Sequence, residues 1–536
     1  MNDTILQSWG DAWPEVRCTT PLETGEGVID PGTFKTIEVD ELFDYVNDTT
    51  TTIGAAVLYR SLVRPLDSLQ EIQSKQEALA ELRGNSRLKT DIEGILAHAA
   101  EDEKGFYQLL YGKFLGMFGT AMEGENVKVE GYGYEPYIKG TRMMLDLVDG
   151  IKSAAKPESS YLKTLFDKID KFADSRTYSF MKGPVYRTEQ ALQCKLDRKK
   201  SFAPALIFRP RIFKPVFIAL VFALLWLIGQ FNPLQAVDVS FEFSPVFTLF
   251  LIPLGLLYIP MIGSFDRDSC IYPLREEFRK APELQETFDA LGQLDELLAF
   301  LKYADSFGGS MILPEFFDAK QHQMQLRDAK NPVLAKNNDQ YVGNDFDLRK
   351  ERLVFITGPN SGGKTAFCKT ITQIQLLAQT GCYVPAKAAR LTVADRIFYQ
   401  VPEISHLDDG EGRFGTELKR TKEIFLACSA KSLVVLDELS EGTTYEEKLE
   451  TSANVLNGFY QLGCSTVLIT HNHQLVDNFI SRGIGMPRQV QFAKNAPTYK
   501  LIKGISRVSH ADRVARKIGF SKDDIAKYLK AVKKKS

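Results

Sequence analysis

The sequence predicts a multidomain fold: an α-helical region interrupted by a two-helix transmembrane hairpin, followed by an α/β P-loop domain. Three observations support this class. Apolar residues recur at helical spacing before residue 200 and again between Leu284 and Leu301. Two uncharged runs of 23 residues each lie between those stretches. After residue 331, short apolar runs alternate with helical segments, which is typical of an α/β domain with a largely buried sheet.

The composition is that of an ordinary globular protein. The chain has 536 residues, which is enough for several domains, and 44% of them are hydrophobic. A net charge of −2 predicts no strong global attraction to nucleic acid, so any DNA contact must come from local patches. The seven cysteines contain no C-x-x-C pair and the six histidines form no cluster, which argues against a disulfide framework or a zinc site.

The two uncharged runs cover residues 215–237 and 243–265. A helix of about 20 apolar residues spans the hydrocarbon layer of a bilayer, so each run is long enough to cross it. Basic residues flank the pair on both outer sides, and positive flanks stay in the cytoplasm. This pattern predicts a multi-pass protein of the cell inner (cytoplasmic) membrane, with both large parts facing the cytoplasm. The alternative is a helical hairpin buried inside a large core.

The strongest local motif is a complete G-x-x-x-x-G-K-[ST] sequence. It follows the apolar run 353–356 and precedes a predicted helix at 366–377, the strand–loop–helix context that a P-loop requires. The glycines would let backbone N–H groups close on phosphates; Lys364 would reach the β- and γ-phosphates, and Thr365 would ligate Mg²⁺. A chance glycine loop is the alternative. The predicted nucleotide-binding residues are Gly358, Pro359, Asn360, Ser361, Gly362, Gly363, Lys364 and Thr365.

Two further apolar runs end in polar residues. The run 433–436 ends in Asp437 and Glu438; we predict that Asp437 binds Mg²⁺ and that Glu438 polarises the attacking water. The run 466–469 leads to His471, which would sense the γ-phosphate at the carboxyl edge of the same sheet. Either pattern alone could be a plain strand end or a structural histidine. Their order after the P-loop favours catalytic roles for Lys364, Glu438 and His471.

Several segments resemble the ATPase domain of MutS proteins: Thr357–Thr365, Tyr383–Ala386, Asp395–Phe398, Asp437–Thr444 and Thr470–Leu475. Upstream, 52–66 resembles the start of the MutS core domain, and 291–301 with 331–333 resembles its return into the ATPase. The resemblance covers about 36–110 and 280–520. It implies a helical core with lever helices and an ABC-type ATPase domain. It also implies a homodimer that binds and hydrolyses ATP with Mg²⁺ and contacts mismatched or branched DNA.

The predicted domains combine the resemblance with the hairpin. They are an irregular N-terminal arm (1–35), the first half of a helical core and lever (36–210), the transmembrane hairpin (211–265), the second half of the core and lever (266–330), the ATPase domain (331–515), and a C-terminal helix with a basic tail (516–536). The tail is predicted to be solvated, with acidic lipid or DNA as the alternative contact.

The resemblance also implies a signature segment that completes the partner subunit's nucleotide site. It corresponds to Asp408–Glu417, in which Phe414 and Glu417 fit the family spacing. The family's serine is absent, and Gly412 and Arg413 stand near its place. Arg413 could supply positive charge to the transferring phosphoryl group, or it could be an ordinary surface arginine.

Two departures from the family shape the functional hypotheses. The core begins near residue 36, which leaves no room for a mismatch-reading domain before it, and the hairpin takes the place of the DNA clamp. We therefore predict a membrane-anchored MutS-like ATPase lacking the mismatch-recognition domain. The alternative is an ATPase that couples hydrolysis to a membrane partner without binding nucleic acid. A transporter lacks its L-S-G-G-Q signature here, and a non-hydrolysing scaffold would not need Asp437 and Glu438.

Overall fold

The computed structural model describes residues 4–117, 119–120, 127–189, 191–198, 204–208, 210, 220, 223, 260–349, 351–359, 362–402, 412–439, 445–493, 496–506 and 518–533. The chain divides into two compact units. Unit 1 comprises Met1–Cys18, Asp48–Tyr59 and Glu77–Ala299, and unit 2 comprises Thr19–Asn47, Arg60–Gln76 and Phe300–Ser536.

The helices are numbered in chain order. They are α1 (Ile5–Trp9), α2 (Pro31–Thr36), α3 (Val39–Val46), α4 (Thr52–Val63), α5 (Leu69–Gly84), α6 (Ser86–Tyr111), α7 (Tyr134–Ser153), α8 (Ser160–Phe172), α9 (Arg176–Lys182), α10 (Lys195–Arg198), α11 (Tyr272–Lys280, preceded by a π-helical turn at Arg267–Ile271), α12 (Pro282–Ser306), α13 (Lys364–Gln379), α14 (Gly412–Ala427), α15 (Tyr445–Leu462), α16 (His473–Ser481) and α17 (Lys522–Lys533).

The strands are numbered in the same way. They are β1 (Lys113–Phe114), β2 (Lys128–Val129), β3 (Val185–Arg187), β4 (Leu192–Gln193), β5 (Leu206–Phe208), β6 (Glu315–Phe316), β7 (Met324–Ala329), β8 (Asn344–Asp347), β9 (Leu353–Thr357), β10 (Ala388–Leu391), β11 (Ile397–Gln400), β12 (Leu433–Asp437), β13 (Ser465–Ile469), β14 (Met486–Ala493) and β15 (Ala496–Lys503).

Unit 1 is mainly helical, and its core is rich in aromatic side chains. Helices α6 and α7 pack side by side. The Phe106 ring of α6 lies 4.9 Å from the Phe288 ring of α12, centroid to centroid, and the Trp9 ring of α1 meets Tyr107 edge-on at 5.5 Å. All four side chains are buried. Helix α1, near the chain start, therefore contributes directly to the core of this unit.

A buried carboxylate joins α12 to the start of α4. Asp295 is fully buried, and its oxygens accept hydrogen bonds from the backbone N–H of Thr50 and Thr51 at 3.0 and 2.7 Å and from the Thr51 hydroxyl at 2.7 Å. Gly54 makes this approach possible, because a Cβ there would lie 2.2 Å from Asp295 Oδ2. The first turn of α4 therefore depends on a side chain more than 240 residues away in the chain.

We expect Asp295→Ala to destabilise unit 1 by about 3 kcal/mol, because buried N–H donors at the helix start would lose charge-assisted partners. Denaturant unfolding of the full chain, followed by circular dichroism, measures the change. Glu286→Ala, an exposed substitution on the same helix, is the control and should leave the midpoint nearly unchanged. Equal midpoints for the two variants would contradict this role.

Unit 2 is built around a six-stranded sheet in the order β11-β12-β13-β9-β14-β15. The first five strands in this order, including β9, pair in parallel with their neighbours. The last strand, β15, is antiparallel to β14. Strands β9 and β13 are buried at every position, as expected of parallel strands covered on both faces. Because β9, β12 and β13 run in the same direction, their carboxyl ends meet at one edge of the sheet.

The predicted transmembrane hairpin needs correction. Across the residues that the structure describes, no helix combines the length and the apolar character needed to cross a membrane. The runs 215–237 and 243–265 fall outside those residues except at Leu220, Ala223 and 260–265. The predictions of a transmembrane fold class and of a multi-pass membrane location are therefore wrong for this structure, which is multidomain α/β. Hydropathy measures the free-energy cost of exposing an apolar segment to water. It does not show whether lipid or protein covers that segment.

Candidate nucleotide-binding site

The P-loop connects the central strand β9 to α13. Gly358 follows the strand with φ 136° and Gly363 precedes the helix with φ 82°, backbone conformations that favour glycine. Lys364 begins α13 and is 3% exposed; its ammonium donates to the carbonyls of Gly358 at 2.7 Å and Pro359 at 3.0 Å. The loop therefore leads into a helix N-terminus, the usual location for binding phosphate.

Burial lowers the pKa of the Lys364 ammonium, and the charges of Asp437 and Glu438 act in the opposite direction. The two carboxylates therefore favour the charged form of the lysine, which is the form that binds a phosphate. This effect also means that the two acids at the end of β12 lie close enough to the P-loop to act electrostatically on Lys364.

The P-loop and β12 meet at a pair of oxygens. The Thr365 hydroxyl donates to Asp437 Oδ2 at 2.9 Å, although the two residues are 72 positions apart in the chain. Mg²⁺ prefers oxygen ligands and usually keeps several waters. A threonine hydroxyl and a carboxylate at this separation can share one ion, so the donor set fits Mg²⁺. The structure thus brings together the two residues that the sequence predicted as metal ligands.

Glu438 follows Asp437 in a left-handed conformation, with φ 65°. Its backbone N–H bonds to the Ile469 carbonyl at 2.9 Å, and its side chain accepts from the His471 N–H at 3.1 Å. The His471 imidazole Nε2 lies 3.7 Å from Glu438 Oε1 and is about half exposed. The ends of β12 and β13 therefore place Glu438 and His471 side by side, next to the Thr365–Asp437 contact.

Lys448 on α15 is a charged residue of this site that the sequence did not reveal. Its ammonium lies 3.6 Å from Glu438 Oε2, and both side chains are largely shielded from solvent. The two residues are ten positions apart in the chain, and nothing in the spacing marks Lys448 as different from the other charges of its helix. The pairing depends on where α15 returns towards the sheet, which only the three-dimensional structure shows.

The hairpin of β14 and β15 covers one side of the P-loop. A Cβ at Gly358 or Gly362 would contact Val490 of β14, and a Cβ at Gly363 would lie 3.2 Å from the Tyr499 ring of β15. Tyr499 is 54% exposed. Its backbone carbonyl accepts from the Asn344 amide at 2.9 Å. An exposed aromatic ring therefore lies beside the predicted phosphate loop, and the sequence motifs gave no indication of it.

The predicted signature residues are only partly described. Asp408–Glu411 lie outside the described residues, as do Asn360 and Ser361 of the P-loop. Helix α14 begins at Gly412, includes Arg413, and carries Phe414 half-buried and Glu417 buried. The Glu417 carbonyl accepts from the Gln400 amide of β11 at 3.2 Å. This part of α14 is therefore joined to the outer strand of the sheet.

Comparison with known proteins finds similarity in the region that contains this site. Residues 354–534 match the family model for MutS domain V. The chain is 35% identical over 199 residues to a DNA mismatch repair protein MutS from Desulforamulus reducens, covering 36% of this chain and 22% of that protein. It is 30% identical over 255 residues to a DNA mismatch repair protein MutS from Chlorobaculum tepidum, covering 45% and 28%.

A third relative carries a different name. The chain is 31% identical over 247 residues to an endonuclease MutS2 from Ligilactobacillus salivarius, covering 45% of this chain and 30% of that protein. The chain therefore spans less than a third of the length of each of these relatives. Residues 354–534 of the chain therefore match MutS domain V, and over this part of its length the chain is similar to MutS and MutS2 proteins.

Proposed function

We propose that this protein binds Mg²⁺-ATP at the P-loop of unit 2 and hydrolyses it. The observation that carries the proposal is the 2.9 Å contact between Thr365 Oγ1 and Asp437 Oδ2, at the start of a P-loop helix with a buried lysine. Thr365 and Asp437 would hold a magnesium ion, whose charge would offset that of the phosphates. Lys364 and backbone N–H groups of the P-loop would bind the β- and γ-phosphates.

The residues beside the metal ligands supply the hydrolytic step. Glu438 orients and polarises the attacking water, and His471, held beside it by its own N–H, donates a hydrogen bond towards the γ-phosphate. Lys448 fixes the second carboxylate oxygen of Glu438. The Tyr499 ring offers an aromatic face to the nucleoside on the open side of the loop. These roles follow from where the side chains lie around the P-loop.

Dimerisation and DNA contact complete the proposal. Relatives that match this region are named DNA mismatch repair protein MutS and endonuclease MutS2. We propose that this chain likewise acts as a homodimer on DNA, mismatched or branched, with α14 of one subunit facing the nucleotide of the other. The chain's net charge of −2 requires that any DNA contact be local and salt-dependent.

ATP turnover by the purified full chain tests this function directly. Rates are measured with Mg²⁺, with EDTA, and with duplex, mismatched and branched DNA at two salt concentrations. We expect Mg²⁺-dependent hydrolysis that branched or mismatched DNA changes at low salt. Absence of hydrolysis under all conditions contradicts the ATPase, whereas hydrolysis that no DNA alters, with no gel shift, contradicts only the DNA role.

Arg413 provides a test of the proposed partner-side contact. If its guanidinium stabilises the transferring phosphoryl group, Arg413→Ala lowers kcat by about tenfold or more with little change in KM, because such contacts act mainly in the transition state. Lys419→Ala, an exposed cation on the same helix, is the matched control. A wild-type kcat in Arg413→Ala would show that the arginine is an ordinary surface residue.

A further inference from the structure

The segment Thr19–Thr36 lies along the edge of the six-stranded sheet of unit 2. From here on the word arm refers to this segment only, and not to the whole of residues 1–35. Strand β11 is an outer strand of that sheet. Its Ile397 N–H donates to the Val28 carbonyl at 2.6 Å, and its Tyr399 N–H donates to the Thr33 hydroxyl at 3.1 Å. Helix α2, which ends the arm, packs against the same strand. The arm therefore satisfies donors that an outer strand would otherwise expose.

The arm also holds α14 through a buried ion pair. The Arg420 guanidinium of α14 contacts Asp30 Oδ2, and its Nη1 donates to the Thr24 hydroxyl at 2.9 Å. The Thr24 hydroxyl in turn donates to Asp30 Oδ2 at 2.9 Å, and Asp30 Oδ1 accepts the Thr33 N–H at 2.8 Å. The Asp30 side chain is 1% exposed and that of Arg420 is 15% exposed.

The electrostatics and the packing at this pair are consistent with a specific contact. Burial alone would raise the pKa of Asp30, but the Arg420 charge and the Thr33 N–H bring it below the ordinary value. Gly32 lets the guanidinium approach the arm, since a Cβ there would lie 2.9 Å from Arg420 Nη2. A buried charge pair with every partner in place is costly to break, because removing one partner leaves the other unpaired.

A second contact fixes α14 to the strand that the arm covers. The Gln400 amide at the end of β11 donates to the Glu417 carbonyl at 3.2 Å and to the Thr421 hydroxyl at 3.0 Å. The Thr421 hydroxyl and the Gln400 oxygen lie 3.1 Å apart. One turn of α14, from Glu417 to Thr421, is therefore held from two sides. The same turn begins at Glu417 and lies just after Phe414, and both are predicted signature residues.

We propose that the arm is a positioning element for ATP hydrolysis, and that the Asp30–Arg420 pair sets the placement of the first turns of α14. This inference rests on the proposed ATPase function. Asp30 and Arg420 do not touch nucleotide; they act through Phe414 and Glu417 on the same helix. A small shift of such a helix costs rate rather than nucleotide affinity, because the P-loop contacts belong to β9 and α13.

The test compares kcat, ATP affinity and hydrogen exchange in full-length variants. Asp30→Asn is the primary variant, because asparagine still caps α2 while the charge is removed. Arg420→Gln and the double variant complete a cycle, and Arg390→Ala, which breaks the exposed pair with Glu315, is the control. Nucleotide binding is measured with a fluorescent ATP analogue, and exchange is followed over residues 412–421.

We expect Asp30→Asn and Arg420→Gln each to lower kcat about tenfold, with the nucleotide dissociation constant within about twofold of wild type. The double variant should match the single ones, because both remove one contact. Exchange at 412–421 should accelerate in all three. If the Arg420→Gln protein does not fold, the Asp30→Asn variant alone tests the proposal.

A folded Asp30→Asn protein with wild-type kcat and wild-type exchange over 412–421 overturns the proposal. So does a loss of nucleotide affinity equal to the loss of rate, since that indicates general destabilisation of the P-loop. Failure of the ATPase function itself is recognised separately, because the wild-type chain would then show no turnover. The exchange measurement still reports on the pair in that case.

Discussion

Lys364→Ala is expected to raise the dissociation constant for Mg²⁺-ATP by about a hundredfold or more and to abolish turnover, because a charge-assisted contact to the phosphates is removed from a buried site. Lys364 is 3% exposed, and Asp437 and Glu438 favour its charged form. Without the ammonium, those two carboxylates face the triphosphate with less compensating charge. Titration with a fluorescent ATP analogue measures the change.

The same helix offers a control for this substitution. Lys369 lies five positions further along α13 and pairs with Glu38 at 2.6 Å, away from the phosphate loop. Lys369→Ala should therefore bind nucleotide nearly as wild type does, with at most a small loss of stability. If Lys364→Ala retains wild-type affinity while remaining folded, nucleotide does not bind at this loop and the assignment of the site is refuted.

Much of unit 2 could be predicted from local sequence. The apolar runs predicted as strands at 353–357, 433–436 and 466–470 correspond to β9, β12 and β13, and the helix predicted after the P-loop corresponds to α13. Parallel strands buried on both faces are apolar throughout, so the pattern is visible in short windows. Polar residues at their carboxyl ends then converge because the sheet is parallel, which is why Thr365 and Asp437 could be paired from sequence.

Contacts between segments that are far apart in the chain could not be predicted from the sequence. The arm reads as a run of turn formers and acids, and its Asp30 becomes significant only because α14 brings Arg420 to it. Lys448 and Tyr499 are ordinary residues in sequence, and they acquire a role from the packing of α15 and of the β14–β15 hairpin. Asp295 is likewise one acid among several on α12 until its partners at Thr50 and Thr51 are known.

The predicted transmembrane hairpin shows the opposite error. There the local signal, two long uncharged runs, is strong, but its interpretation as a pair of membrane spans is wrong. Uncharged length and basic flanks both favour a bilayer span. The strand–loop–helix arrangement at the P-loop is predicted correctly, because several independent features, a strand, a glycine loop, a lysine and a helix, have to agree. The apolar runs have only their uncharged length and their basic flanks, and no motif with a fixed structural context. The agreement of several independent local signals separates the correct strand–loop–helix prediction from the wrong one here.

Glu438→Gln is expected to lower kcat by about a thousandfold while leaving Mg²⁺-ATP bound, because the amide keeps the shape of the carboxylate but loses its charge and its basicity. The substitution leaves unchanged the proposed magnesium ligands, Thr365 and Asp437, and the P-loop lysine. Lys448 would lose its ion-pair partner at 3.6 Å, and the His471 N–H could still donate to the amide oxygen. Single-turnover hydrolysis measures the rate of the chemical step.

Glu446→Gln, at an exposed acid in the first turn of α15, is the control and should leave the single-turnover rate close to wild type. The ATP dissociation constant of Glu438→Gln should remain within about threefold of wild type, since the proposed role of the carboxylate is to act on the attacking water rather than on the phosphates. This separation of binding from turnover distinguishes Glu438 from Lys364, whose loss should remove both. A Glu438→Gln variant that hydrolyses ATP at the wild-type rate would mean that another group activates the water, and Asp437 or His471 would then have to take that role.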